Sequence, residues 1–94
     1  MNTFELKPHN GRKSFYGKAV VTITDDGIKT LQSYDTVVLS ITPDGQLHRH
    51  WDTDHPSPTT MTHIKSFIAE FINDDLAENF NSKRYMALDL EDQF

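Results

Sequence analysis

The sequence predicts an α+β fold: a small antiparallel β-meander of three to four strands packed against one amphipathic C-terminal helix, with a short extra helical segment after it. Three observations carry this. Apolar residues alternate with polar ones between residues 14 and 52, and two glycine-bearing turns cut that stretch. Apolar residues then recur at spacings of three and four between Met61 and Ile72. Period two is the mark of a strand and period 3.6 that of a helix. Finally, 94 residues without a cysteine make one domain with a single core and no disulfide staples.

Residues 1–13 read as lead-in and loop. Phe4 and Leu6 hint at an edge segment, but Pro8 and the Asn10-Gly11 pair are turn signals. From Ser14 to Thr24, Phe15, Gly17, Ala19, Val21 and Ile23 fall on one side and Tyr16, Lys18, Val20, Thr22 and Thr24 on the other. Asp25-Asp26-Gly27 turns the chain, because glycine accepts the positive φ of a short hairpin loop. Ile28 to Tyr34 returns as the next strand, and Ser33-Tyr34-Asp35 marks a bend. Thr36 to Thr42 resumes with Val37, Leu39 and Ile41 on one face. Pro43-Asp44-Gly45 is a second turn, proline presetting its first corner. Gln46 to Asp52 completes the 14–52 meander, with Leu47 and Trp51 inward and His48, His50 and Asp52 outward.

Pro56 and Pro58 interrupt regular structure, and Thr59 or Thr60 supplies the N-cap of a helix over 59–73. Met61, Ile64, Phe67, Ile68, Phe71 and Ile72 form its apolar stripe; His63, Lys65, Ser66, Glu70 and Asn73 take the opposite side. Residues 74–94 read as a helical extension, with Ser82 to Tyr85 capping a last short helix, followed by an acidic tail that frays from Glu91.

The net charge of −5 is unevenly spread. Residues 1–18 set four bases against Glu5, whereas residues 70–94 set seven acids against Lys83 and Arg84. No apolar run reaches the roughly 18 residues of a membrane span, and the N-terminus lacks the layout of a signal peptide. The expectation is a cytoplasmic protein without a cofactor.

Four constellations bear on chemistry. His48, His50 and Asp52 share a strand face, and with His55 they are competent ligands for zinc. The run resembles the His-x-His-x-Asp-His motif of metallo-β-lactamase-type hydrolases but has Thr53 where the next histidine belongs. Arg12 to Lys18 interleaves bases with aromatics, which suits phosphate contact and base stacking. Four bases on an acidic domain argue against direct nucleic-acid binding. The carboxylates of the last third, Asp74, Asp75, Glu78, Asp89, Glu91 and Asp92, can imitate nucleic-acid phosphates and occupy a basic cleft. The four glycines form no phosphate loop and no serine sits in a nucleophile elbow, so the chain reads as a non-enzyme.

Three stretches carry a family resemblance: Lys13-Ser14-Phe15-Tyr16-Gly17-Lys18-Ala19, Leu31-Gln32-Ser33-Tyr34-Asp35-Thr36-Val37, and Thr59-Thr60 with His63-Ile64 and Phe67 after Trp51. Together they resemble a family of small phage, plasmid and bacterial proteins without an assigned activity. The tail departs, with Ile72-Asn73-Asp74-Asp75 where a Gln-Asn-Gly turn is common. The resemblance implies a mobile-element protein that binds a host protein, such as an anti-CRISPR-like inhibitor of a nucleic-acid-handling defence enzyme. The expected contact groups are the acids just named and an uncovered strand face with Tyr16, Lys18, His48 and His50. His63 is placed to reach back toward the 53–58 loop. A thin sheet with free edges also leaves room for a homodimer.

Overall fold

A computed structural model describes residues 1–8, 14–53 and 56–91. Five antiparallel strands run in order β1 (Asn2–Glu5), β2 (Ala19–Ile23), β3 (Lys29–Ser33), β4 (Thr36–Ile41) and β5 (Leu47–Arg49). Three helices follow: α1 (Pro58–Phe71), α2 (Asp74–Asn79) and α3 (Ser82–Ala87). The α+β meander is as expected, with five strands rather than three or four and two short helices after α1 rather than one.

The added strand is β1, from the segment read as lead-in and loop. It pairs with β2 from Asn2↔Ile23 to Glu5↔Val20, and Leu6 N–H extends the ladder to the Ala19 carbonyl at 2.9 Å. All four of its residues are exposed, so it lacks the half-buried alternation that marks a strand in sequence. Residues 14–18, in contrast, are not strand. Tyr16 and Gly17 take positive φ, 53° and 75°, and the chain turns there before β2.

The two predicted turns share one construction. In each, a threonine hydroxyl (Thr24, Thr42) donates to an aspartate two residues on (Asp26, Asp44). The same hydroxyl accepts from the backbone N–H four residues on, at 3.1 Å both times. The Thr42 hydroxyl holds the Asp44 carboxyl below the ordinary carboxylate range. Gly27 has φ +89°, and a Cβ there would stand 3.3 Å from Pro43 Cγ. Gly27→Ala is therefore expected to destabilise the fold by about 1–2 kcal/mol, measurable by urea titration. A loss near zero would mean that the turn adopts another conformation.

β4 contains a bulge. Leu31 faces Leu39 but Gln32 faces Val37, which leaves Val38 inserted between them. The extra residue inverts the alternation. Val37, expected inward, lies on the uncovered face, whereas Val38, Leu39 and Ile41 all enter the core.

α1 starts one residue earlier than expected, at Pro58, with Ser57 as N-cap accepting from Thr60 N–H at 3.1 Å. Proline suits a first helical position because its missing N–H has no acceptor there. Ile64, Phe67 and Ile68 lie on the core side as expected. His63 and Ser66 do not lie on a solvent side: both are 1% exposed. The reason is that α1 contacts β3 on one flank and α2 on another, so burial spreads beyond a single stripe. Phe80 and Tyr85, from α2's end and α3, complete the core with Leu6, Phe15, Ala19, Val21, Leu31 and Ala77.

Glu91, from which the tail is expected to fray, is paired, and residues 92–94 lie outside the described residues. Arg49 N–H donates to the Asp89 carbonyl at 3.2 Å and Glu91 N–H to the Arg49 carbonyl at 3.0 Å, a parallel bridge centred on Leu90. Residues 89–91 thereby cover the β5 edge.

Candidate functional site

The helices cover one face of the sheet and leave the other open. On the open face the register aligns Thr3, Thr22, Thr30, Ser40 and His48 in one row across all five strands. Hydroxyls meet along it, Thr3 with Thr22 and Thr30 with Ser40, each pair at 3.3 Å. A shallow hollow of about 210 Å³ lies over this row, lined by Met1, Thr22, Thr24, Thr30, Val37, Ser40 and His50.

His48 and His50 share that face, as their spacing predicts, but their rings serve the fold. His50 Nε2 is 2.6 Å from Ser40 Oγ, and Nδ1 is 2.8 Å from the Glu91 carbonyl. Both ring nitrogens are thus engaged. His48 Nδ1 lies 3.7 Å from the Glu91 carboxylate. Asp52 pairs with Arg49 at 3.7 Å instead of joining the histidines. His55 lies outside the described residues, and among those described no three His, Asp or Glu are gathered as for a metal ion.

The acidic residues divide. Asp74 and Asp75 occupy the first turn of α2 behind the N-cap Asn73, where carboxylates complement the helix dipole; Glu78 is exposed on the same helix. Asp89 and Glu91 lie at the β5 edge, and Asp92 lies outside the described residues. Of the basic run, Arg12 and Lys13 also lie outside them, and Phe15 is 3% exposed, so its ring is core.

Tyr16 and Lys18 are set apart from His48 and His50, in the turn that leads into β2, three places along the sheet from β5. There they meet Tyr34, which the sequence places at a bend. Tyr34, first in the two-residue β3–β4 turn, donates its N–H to the Lys18 carbonyl at 2.7 Å. The Lys18 ammonium stands 5.9 Å from the Tyr34 ring centre. Tyr16 is 83% exposed and Tyr34 48%. Both are in left-handed backbone, with φ of 53° and 55°, a region that costs a non-glycine residue about 1–2 kcal/mol.

Each tyrosine is held there. Ser14 Oγ accepts Tyr16 N–H at 2.8 Å, and the Glu5 carboxylate accepts Gly17 N–H at 2.7 Å. Gln32 donates its side-chain amide to the Tyr34 carbonyl at 2.9 Å. Beneath them sits His63, its ring 4.5 Å from Phe15 and 5.8 Å from Tyr34. Its Nδ1 is 2.8 Å from Ser33 Oγ, which is 3.0 Å from Thr60 Oγ1. His63 thus engages the end of β3. The three stretches singled out in sequence, around Tyr16, Tyr34 and His63, converge at this one end of the sheet. The signal that could have found the site was the Tyr-Gly pair at 16–17, which is turn-like rather than strand-like.

No helix among the described residues is long and apolar enough to cross a membrane. No curated protein and no solved structure matches the chain. A family model does match, over residues 4–86, which takes in the second half of β1, all of β2 to β5, α1, α2 and most of α3. The chain is a member of the family of unknown function DUF8033.

Proposed function

We propose that this chain is a non-enzymatic protein-binding module whose contact surface is the end of the sheet formed by Tyr16, Lys18 and Tyr34. The observation that carries this reading is the pair of exposed tyrosines, each fixed in left-handed backbone by side-chain hydrogen bonds. Backbone strain that the surroundings hold in place gathers at functional sites. Tyrosine is also prominent among the residues that dominate protein interfaces, since it offers a large rigid ring with a polar tip. Glycine would fit either position without strain, so the rings themselves are what the surface retains.

Within this reading the module is of the kind that phages and mobile elements encode, and it inhibits a host protein by occupying its surface. A nucleic-acid-handling defence enzyme is the partner that the carboxylates of α2 favour, because Asp74, Asp75 and Glu78 are exposed there and would steer toward a basic cleft.

Tyr16→Gly tests the reading in two opposite directions. Relief of strain is expected to raise stability by about 0.5–1 kcal/mol in urea titration. Capture of partner from bacterial lysate, quantified by mass spectrometry against the unaltered chain, is expected to fall at least about tenfold, or 1.4 kcal/mol. Tyr34→Gly should match it in capture. If every protein enriched by the unaltered chain is retained equally by both variants, the tyrosine surface is not the contact.

A further inference from the structure

We infer that the outer edge of β1 pairs with the same edge of a second copy of this chain, joining two five-stranded sheets into one of ten strands. The two edges of the sheet are treated differently by the chain itself. The β5 edge is occupied by residues 89–91 through two backbone hydrogen bonds. At β1, Leu6 N–H bonds Ala19, and the alternation of an antiparallel ladder then directs Phe4 toward β2 and Thr3 and Glu5 outward. Among the described residues, none bonds the outward N–H and C=O groups of Thr3 and Glu5.

Sheet edges that stay unpaired are usually guarded by an outward charge, a proline or a bulge. β1 has neither proline nor lysine, and its one charge is turned away: the Glu5 carboxylate accepts Gly17 N–H and the Ser14 hydroxyl of its own chain. The edge is also self-complementary. A two-fold axis at Phe4 sets Thr3 opposite the partner's Glu5 and Glu5 opposite the partner's Thr3. Each pair exchanges two backbone hydrogen bonds, four in all. Phe4 then faces the partner's Phe4 in a close, non-hydrogen-bonded pair about 4.5 Å apart at Cα. The ring is 37% exposed and already leans on Phe71 at 6.5 Å, so pairing extends an existing aromatic cluster across the axis. An interface of this length is small, which places its affinity in the micromolar range. The inference does not depend on the tyrosine surface, since Tyr16 and Tyr34 are not on β1.

The absence of cysteine makes the test direct. Phe4→Cys should form a disulfide-linked dimer under mild oxidant at least about tenfold faster than Glu78→Cys, whose site is exposed on α2, because disulfides need Cα atoms about 4.4–6.8 Å apart. The unaltered chain should sediment as a dimer at about 0.1 mM. Thr3→Pro, which removes a donor directed off the sheet, should sediment as a monomer with unchanged circular dichroism; if it fails to fold, the cross-linking rates decide. A monomeric unaltered chain at that concentration overturns the inference. So does a dimer that cross-links no faster through position 4 than through position 78.

Discussion

Replacing Tyr85 with alanine is expected to lower the folding free energy by about 3–5 kcal/mol, a large part of the roughly 5–15 kcal/mol that a domain of this kind has in total. Tyr85 is fully buried, and it joins α3 to the sheet by more than packing. Its hydroxyl donates to the Val38 carbonyl at 2.7 Å and lies 3.3 Å from the Trp51 carbonyl. Val38 is the inserted residue of the β4 bulge, so the phenol supplies a donor exactly where the ladder is irregular. Tyr85→Phe keeps the ring and removes the donor, and should cost about 1–3 kcal/mol.

The same group gives a pH dependence. Burial pushes the Tyr85 phenol up to about 12, against the opposing pull of the Trp51 backbone and the Arg49 guanidinium. In the unfolded chain a tyrosine titrates near 10. Between those values the unfolded state releases a proton that the folded state keeps, so stability is fully present below about pH 10 and is lost as pH rises toward 12. The difference in urea stability between the unaltered chain and Tyr85→Phe should therefore shrink from neutral pH to about pH 11. A difference that stays constant over that span would show that the phenol is not buried as described.

The second large effect belongs to His63. His63→Ala is expected to cost about 2–4 kcal/mol. The substitution deletes the ring under Phe15 and Tyr34 and leaves a void. It also strips the buried Ser33 hydroxyl of one of its two partners, leaving Thr60, and one such hydrogen bond contributes about 0.5–1.5 kcal/mol. Because both left-handed turns rest on this ring, tyrosine fluorescence should change along with the urea midpoint. A loss below about 1 kcal/mol with unchanged fluorescence would mean that the turns support themselves.

What was legible in the sequence was whatever local chemistry decides. Thr24 to Gly27 and Thr42 to Gly45 announce their turns because threonine, aspartate and glycine each satisfy a backbone requirement there. The apolar spacing from Met61 to Phe71 announces α1. The features missed depend on contacts distant in sequence. β1 is exposed on both faces and only Phe4 and Leu6 hint at its alternation, so its pairing follows from the free edge of β2. Residues 89–91 become ordered only because β5 offers them an edge. His63 and Ser66 are polar by identity and buried because α1 packs against both the sheet and α2. The Val38 bulge changes which valine faces the core without altering the composition of the strand. At the candidate site, Tyr16 and Lys18 were identified, but their companion proved to be Tyr34 and not the histidines of β5, because the turn at 16–17 carries them to the end of the sheet.

The segment that covers β5 also decides how far assembly can go. A molecule with two open edges can add copies at both ends and grow without limit; one with a single open edge is finished by the first copy it meets. Removing the pairing of residues 89–91 would convert the self-terminating pair we infer into a chain-growing unit, so that this segment would set the stoichiometry of an interface on the opposite side of the sheet.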